Sequence, residues 1–213
     1  MKSASPKEPA PCKRPYSLGM RSEQSARKRA AILAAARAQL ESNGFLSLTL
    51  DNLARDSGVT RQTIHNFFGT KAGLLEALFN QLAMDGGMHR MREVMQQTNA
   101  GSLLESFVRV FTDFWSKDRL FIRRIHGIAA IDSELGTAVE ARNQRRMDAT
   151  SRVVDRVRGE NGLAGQEDKK RKITALYALT SFEFFDILAE ASGSSEDAAQ
   201  QVLTLVKKEF AAT

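Results

Sequence analysis

Side chains that can hydrogen-bond to nucleic acid are grouped between residues 60 and 66. They are Thr60, Arg61, Gln62, Thr63, His65 and Asn66. No acidic residue occurs from Ser57 to Gly69, whereas a solvated helix surface usually carries charges of both signs. Arginine pairs with guanine and glutamine with adenine in the major groove, so Arg61 and Gln62 are the candidates for base contacts. Thr60 and Thr63 are candidates for contact with a phosphate or a thymine methyl group.

The surrounding residues predict two short helices that meet at one glycine. Apolar residues recur with helical spacing before Gly58 and again after it, and glycine ends a helix readily because it adopts the left-handed conformation without strain. Thr49 and Thr60 stand where the N-terminal caps are expected. This arrangement is typical of the helix-turn-helix unit, whose second helix enters the DNA major groove. An ordinary helical hairpin inside a core is the alternative, which the polar face after Gly58 disfavours.

The overall charge agrees with a nucleic-acid partner. The 213 residues include 31 lysines and arginines against 25 aspartates and glutamates, and the net charge is +6. The excess is concentrated toward the N-terminal end, as a phosphate-binding module requires, although a general solubilising surplus is the alternative. A chain of this length suits one or two domains with a sizeable core.

Other classes of protein are disfavoured by what the sequence lacks. Cys12 is the only cysteine, which excludes disulfides and cysteine zinc sites within one chain, and the histidines His65, His89 and His126 do not have metal-ligand spacing. Without a nucleophile elbow, a phosphate loop or a glycine fingerprint, we expect no enzyme, metal or cofactor. Without a transmembrane-length run or a secretory signal, we expect no membrane partner and a cytoplasmic location.

The first twenty residues predict a flexible basic arm. Residues 1–20 contain all four prolines and cannot bury enough apolar surface to become ordered. A leader without a function is one interpretation. An arm that reaches a DNA groove through Lys13 and Arg14 is the other.

Basic residues also flank the predicted hairpin. An alanine-rich amphipathic helix is expected from about residue 22 to 42, and it carries Arg27, Lys28 and Arg29 in its first half. Such a cluster is often only a solvated face. Lys71 lies in the first turn of the helix that follows the hairpin, where a cation opposes the helix dipole and is better suited to an anion. We therefore predict that Arg27, Lys28 and Lys71 contact DNA phosphates, and Thr49 is a further candidate for DNA contact.

Residues 27 to about 80 resemble the DNA-binding region of the tetracycline-repressor (TetR) family of bacterial regulators. The family pattern has an alanine-rich helix, a glycine–aromatic pair, a threonine-capped helix, Gly-Val at the turn and F-x-x-K into the next helix. The matching residues are Gly44, Phe45, Thr49, Gly58, Val59, Phe68, Gly69, Thr70 and Lys71. The family usually has tyrosine at the position of His65 and often histidine at that of Phe67. Both tend to contact phosphates, which His65 can still do, whereas Phe67 is expected to pack.

The resemblance implies an all-α fold in which successive parts of the chain have different functions. It implies a helix-turn-helix DNA-binding domain at residues 21–70, a connecting helix at 71–85 and a helical effector-binding and dimerisation domain at 86–213. Periodicity and caps predict the helices of the last part. The predicted elements are a helix over 88–98, one opened by a capping box from Ser102 to Glu105, one capped by Asp118, one over about 133–158, one continuous helix over about 168–192 and a last helix capped by Ser194.

The predicted helix over 168–192 is apolar on nearly all sides, which requires cover on both sides. A second chain is the natural cover for one side, and the resemblance implies a four-helix dimer interface. The candidate interface residues are Ile173, Leu176, Tyr177, Thr180, Phe184, Ile187, Leu188, Val202, Leu203 and Val206. A buried central helix in a monomer is the alternative. A homodimer presents two recognition helices, so a roughly palindromic site on double-stranded DNA is expected.

Aromatic residues are concentrated in the C-terminal part, which suggests a cavity for a small molecule. Ligand cavities are mostly apolar with a few polar groups. The candidate lining residues are Phe107, Phe111, Phe114, Trp115, His126, Asn143, Phe182 and Phe185. Aromatic residues at helical spacing often only fill a core, and an effector cavity is favoured mainly by the resemblance. Glu183 and Asp186 share one helical face, and with arginines available they indicate ion pairs before a catalytic dyad.

Three functions remain open on the sequence alone. The leading one is a homodimeric repressor that an apolar or amphipathic small molecule releases from its operator. The second is a constitutive or activating DNA-binding regulator whose helical half only dimerises. The third, from another class, is a helical enzyme in which the hairpin is merely structural.

Overall fold

The computed structural model describes residues 18–42, 48–161 and 165–211. Within these ranges the chain forms α-helices and one short 3-10 turn at Met88–Arg90, without a strand, which confirms the all-α prediction. No helix of the described ranges is long and apolar enough to cross a membrane. The helices are α1 (Leu18–Ser42), α2 (Leu50–Ser57), α3 (Arg61–Phe68), α4 (Lys71–Asp85), α5 (Met91–Val94), α6 (Ala100–Lys117), α7 (Arg119–Ala129), α8 (Ser133–Asn161), α9 (Gln166–Leu179), α10 (Phe182–Ser192) and α11 (Ser195–Ala211).

The predicted helix-turn-helix unit is present, with its predicted caps. The Thr49 hydroxyl accepts a hydrogen bond from the Asn52 amide at 3.2 Å, and α2 ends at Gly58 with a left-handed φ of 66°. The Thr60 hydroxyl accepts from the Thr63 amide at 3.2 Å and so begins α3. Most of the predicted arm, with Lys13 and Arg14, and the pair Gly44 and Phe45 lie outside the described residues.

Helix α4 packs against both the helix-turn-helix unit and the C-terminal helices. Its residues Leu74, Leu75 and Leu78 are buried in a core shared with α1, α2 and α3. The same core includes Phe121 of α7 and Leu135 of α8. The expected boundary at residue 86 therefore does not separate two independent cores, because the first core continues into the C-terminal helices.

A second core fills the C-terminal part, between α6, α8, α9, α10 and α11. Phe107, Val154, Leu176, Phe185 and Val202 are all buried in it. The long helix predicted over 133–158 is confirmed as α8 and continues to Asn161.

One predicted helix and two predicted caps near the start of this part are wrong, although the helices predicted after Ser102 and Asp118 are present as α6 and α7. The expected helix over 88–98 is only the 3-10 turn followed by the four residues of α5. Helix α6 begins at Ala100 and not at a Ser102 capping box, because the Asn99 side chain accepts from the Ser102 amide at 2.9 Å. Asp118 does not cap α7 with its side chain, because its carboxylate accepts two hydrogen bonds from Arg37 of α1.

The continuous helix predicted over 168–192 is also wrong, because the chain breaks at Thr180. The Thr180 hydroxyl donates to the Leu176 carbonyl, and the indole of Trp115 donates to the Thr180 carbonyl at 3.0 Å. Ser181 then begins α10 by accepting from the Phe184 amide at 3.2 Å. The apolar stripes assigned to one helix therefore lie on two, and the chain covers much of each itself.

Replacing Gly58 by alanine should lower the free energy of unfolding by about 1–2 kcal/mol, because an L residue is disfavoured in the left-handed region. A Cβ at Gly58 meets no heavy atom within 4 Å, so backbone strain and not a clash causes the loss. Gly127→Ala is the matched control, since its Cβ also meets nothing but Gly127 lies within helix α7 without a positive φ. This variant should gain up to about 1 kcal/mol in urea unfolding. Two losses of equal size would contradict the explanation.

Candidate nucleic-acid interface and ligand cavity

Helix α3 presents a polar outer face and is held by an apolar inner one. Ile64 is buried in the first core, and Phe67 and Phe68 pack partly against it. The packing of Phe67 is as predicted. The remaining positions face outward. Exposed side chains are those of Thr60, Arg61, Gln62, His65 and Asn66, with Thr63 half-buried at the edge. The structure therefore brings the predicted hydrogen-bonding side chains onto one accessible surface, where they can reach a groove.

Hydrogen bonds within α3 hold several of these side chains in place. The Thr60 and Thr63 hydroxyls lie 2.9 Å apart and share a hydrogen bond. The Gln62 amide donates to the Asn66 carbonyl oxygen at 2.9 Å. An ordered side chain loses less conformational entropy on binding, so this pairing favours recognition of a rigid partner.

Arg61 has a partner that sequence inspection missed. Its guanidinium forms an ion pair with Asp51, which lies in the first turn of α2. The side chains are 64% and 62% exposed, and ion pairs this accessible contribute little to stability. A phosphate or a guanine edge can therefore replace Asp51 at little cost. Although the sequence from Ser57 to Gly69 contains no acidic residue, folding places the carboxylate of Asp51 beside this face of α3.

Helix α1 adds basic residues to one side of α3. Arg21 and Lys28 line a shallow groove together with Thr63, Asn66 and Phe67. Among the predicted phosphate contacts of α1, Lys28 thus lies beside the recognition face. Arg27 is paired with Glu23 of its own helix at 2.6 Å.

Two other residues that are candidates for DNA contact, Thr49 and Lys71, make contacts within the chain itself. The Thr49 hydroxyl caps α2, although the residue is exposed. The Lys71 ammonium lies 3.6 Å from a Glu134 carboxylate oxygen of α8. The anion beside Lys71 is thus a carboxylate of the chain itself, and this pair connects α4 to the C-terminal part.

A cavity of about 310 Å³ lies where α4, α6, α7 and α8 meet. Five of the predicted lining residues are in its wall: Phe111, Phe114, Trp115, His126 and Asn143. Phe107, Phe182 and Phe185 do not line it, because the second core buries them completely or nearly so. Helical spacing alone does not distinguish a side chain that fills a core from one that borders a void.

The wall also contains residues that the sequence did not point to. Helix α4 contributes Phe79, Asn80, Leu82 and Ala83, although this helix was predicted only as a connector. Helix α8 contributes Arg142, Arg145 and Arg146. The cavity therefore touches the helix that carries the helix-turn-helix unit, which no periodicity argument could establish.

Arg142 connects the cavity wall to α4. Its guanidinium donates to the Glu76 carboxylate at 2.8 Å and to the Asn80 side chain at 3.3 Å, and it lies 4.6 Å from the centre of the Phe79 ring. Arg145 approaches the same carboxylate at 3.4 Å. The hydrogen bond from Arg142 lowers the pKa of Glu76 below its ordinary value. Glu76 is thus an anion that two arginines of α8 hold.

The arginine pairing predicted for α10 is confirmed for Asp186, whereas Glu183 contacts a histidine instead. Glu183 lies 2.7 Å from the His126 ring, and that hydrogen bond lowers the pKa of Glu183. Asp186 accepts hydrogen bonds from Arg119 and Arg123 of α7 at 2.7 Å each.

The candidate dimer surface is only partly available to a partner. Five of its residues are buried within the single chain and contribute to its core or to the helix break: Leu176, Thr180, Val202, Leu203 and Val206. They are wrong as contact residues, because α6, α8 and the neighbouring helices already cover them. Ile173, Tyr177, Phe184 and Leu188 are half-buried, and Ile187 is 66% exposed. Leu205 of α11, which the sequence analysis did not select, is also exposed.

Comparison with known proteins agrees with this architecture. Residues 32–78 match the bacterial regulatory proteins of the tetR family. The chain is 33% identical over 129 residues to the HTH-type transcriptional regulator AlkX of Mycobacterium tuberculosis (strain ATCC 25618 / H37Rv), a match that covers 58% of this chain and 57% of that regulator. The chain thus spans little more than half the length of this curated relative.

Solved structures share the fold over most of their length. NalD of Pseudomonas aeruginosa, the secondary repressor of the MexAB-OprM multidrug efflux pump, superposes with a TM-score of 0.66 at 22% identity, covering 88% of this chain and 97% of NalD. The SmeT–triclosan complex superposes with a TM-score of 0.65 at 20% identity, covering 87% and 90%. At these identities the likeness shows the fold alone.

Glu76→Gln should destabilise the chain at neutral pH and have a smaller effect in acid. The pKa of Glu76 is lower in the folded state, so its contribution is present above the ordinary value of 4.5 and is lost as the pH falls through the folded pKa. Urea unfolding of both proteins between about pH 7 and pH 3 measures this difference. Glu140→Gln, at an exposed position of α8, is the control and should change little. A Glu76→Gln difference that is independent of pH would contradict the ion pair.

Proposed function

We propose that this chain, which belongs to the tetracycline-repressor (TetR) family of bacterial regulatory proteins, is a homodimeric repressor that binds a palindromic operator and is released by a small amphipathic molecule. The observation that carries the proposal is the outer face of α3, where Arg61, Gln62, His65 and Asn66 are exposed while Ile64 anchors the helix. A helix held in this way by a preceding helix and a glycine turn suits the major groove.

The DNA contacts divide into two kinds. Arg61 and Gln62, at the start of α3, have the side chains that read guanine and adenine edges. Lys28 and Arg21 of α1 border α3 and suit phosphates, which position a protein without reading sequence. Footprinting of the DNA beside the gene with the purified full chain tests the proposal. Protection that is lost steeply with added salt supports it, and absence of any protection at low salt contradicts it.

Dimerisation is supported by an apolar surface on α10 and α11 that the single chain leaves open. Ile187 and Leu205 are exposed there, and Phe184 and Leu188 are only partly covered. Exposed apolar clusters of this kind commonly mark association surfaces. A twofold contact through this surface places two α3 helices in one particle, as a palindromic operator requires.

Release by a ligand is supported by the position of the cavity against α4. Residues Phe79 and Leu82 of α4 line it, and α4 follows α3 after only Gly69 and Thr70. A ligand that fits only one position of α4 favours one arrangement of the two recognition helices. A preference of a few kcal/mol is enough to move a two-state equilibrium from mostly bound to mostly free.

Arg61→Ala should weaken operator binding by about 1–3 kcal/mol and relax the sequence preference at one base pair of each half-site. Fluorescence anisotropy over a set of operators with single substitutions measures both effects. Arg92→Ala is the control, because Arg92 is exposed on α5 and remote from α3 in the sequence. An unchanged sequence preference in the Arg61 variant would reject the base contact.

Ile187→Asp should convert the dimer to a monomer, because it places a charge in the centre of the proposed apolar contact. Sedimentation velocity on the full chain gives the oligomeric state. Ile131→Asp is the matched control, since Ile131 is 88% exposed in the turn between α7 and α8 and should leave the dimer intact. If the Ile187 variant sediments as a dimer, or if the unaltered chain is a monomer at working concentration, the interface is wrong.

A further inference from the structure

One side chain in the cavity wall is a buried cation that no carboxylate contacts directly. Arg146 is only 6% exposed and lines the cavity from α8. Its neighbours in the wall, Arg142 and Arg145, both approach the Glu76 carboxylate. In the described part of the chain, no carboxylate lies within ion-pair distance of Arg146.

The contacts of Arg146 leave part of its guanidinium unsatisfied. One terminal nitrogen donates to the Tyr177 carbonyl and lies 3.5 Å from the Thr180 hydroxyl. The guanidinium plane lies over the Tyr177 ring, 3.7 Å from its centre. The Nε atom is buried and has no hydrogen-bond partner. The tyrosine ring and the carbonyl oxygen orient the group without neutralising its charge. Glu183 acts on that charge only from beyond ion-pair distance, and its carboxylate is hydrogen-bonded to His126.

A buried charge in this situation is costly. Burial lowers the pKa of Arg146, because the protein interior solvates the cation less well than water does. An unpaired buried charge also lowers stability, and a ligand of opposite charge relieves that cost when it binds. The site is therefore better matched to an anion than to a neutral or cationic molecule.

The remainder of the wall specifies the rest of the ligand. It is lined mainly by apolar side chains from five helices and the 3-10 turn. These are Phe79, Leu82, Ala83, Met88, Met91, Phe111, Phe114, Trp115, Ile122, Ile125, Val139 and Ala149. Such a surface gains free energy by covering a hydrocarbon body, and a volume of about 310 Å³ suits a small organic molecule.

We propose that the cavity binds amphipathic organic acids, with the carboxylate against Arg146 and the hydrocarbon body against the apolar wall. This inference rests on the proposed function only for its regulatory consequence, since binding itself requires no DNA. Arg142 lies one helical turn before Arg146 and holds Glu76 of α4. A carboxylate in the cavity adds a second anion near these arginines and thereby weakens the hold of α8 on α4.

Trp115 gives a direct measurement of binding, because it lines the cavity and is the only tryptophan of the chain. Decanoate and the uncharged 1-decanol are titrated into the full chain while tryptophan emission is recorded. We expect decanoate to bind at least about tenfold more tightly than decanol, the range of a charge-assisted hydrogen bond. Equal affinities would overturn the proposal, and this comparison needs no variant.

Arg146→Met tests the residue, because methionine keeps much of the volume and removes the charge. The variant should lose the preference for decanoate and still bind decanol, and Arg146→Lys should recover part of the preference. Arg152→Met, at an exposed position of the same helix, is the control and should behave as the unaltered chain. A preference for decanoate that survives in the Arg146→Met variant would overturn the assignment.

The regulatory proposal is separable from the binding site. Operator affinity is measured by anisotropy with and without decanoate on the same proteins. If decanoate binds through Arg146 and operator affinity does not change, the binding site is supported, and the proposal that this class of ligand releases the protein from its operator is overturned. A loss of operator affinity that requires Arg146 supports both.

Discussion

The packing of α4 on two sides is the constraint on which the rest of the structure depends. Leu74, Leu75 and Leu78 join it to the helix-turn-helix core, and Phe79 and Leu82 border the cavity. Packed interiors are dense and transmit strain, so a displacement of one end of α4 acts on the side chains packed along the rest of it. We propose that a change in the cavity reaches α3 through this helix, which borders the cavity and packs in the same core as α3.

Polar contacts reinforce this connection at three places. Arg142 holds Glu76 on α4, and Lys71 at the start of α4 lies near Glu134. Arg37 of α1 donates to both oxygens of Asp118, at 2.7 and 3.1 Å, and its guanidinium lies over the Phe121 ring. The hydrogen bond that Arg37 donates to Asp118 raises the pKa of Arg37. These pairs connect the DNA-binding helices to the C-terminal helices.

Local signals in the sequence predicted the helix-turn-helix unit, whereas contacts between distant segments could not be predicted from the sequence. The caps at Thr49 and Thr60 and the turn at Gly58 depend on residues within four positions, so the sequence shows them directly. The break at Thr180 depends on the indole of Trp115, which lies on another helix. Helical spacing also identified the apolar stripe of α11. It did not show that α6 and α9 of the same chain cover this stripe, so Val202 and Val206 were wrongly assigned to the contact with a partner. The sequence also does not show that Arg146, unlike Arg142, has no carboxylate within ion-pair distance in the described part of the chain, because only folding brings arginines and carboxylates together.

The most direct measurement of the central claim is the distance between the two α3 helices of the proposed dimer. A nitroxide at Asn66→Cys, with Cys12 replaced by serine, places one label on each recognition helix, and electron–electron double resonance measures their separation. If α4 transmits the state of the cavity, decanoate should shift this distance distribution while it changes Trp115 emission. Binding that changes Trp115 emission and leaves the distance distribution unchanged would contradict transmission through α4.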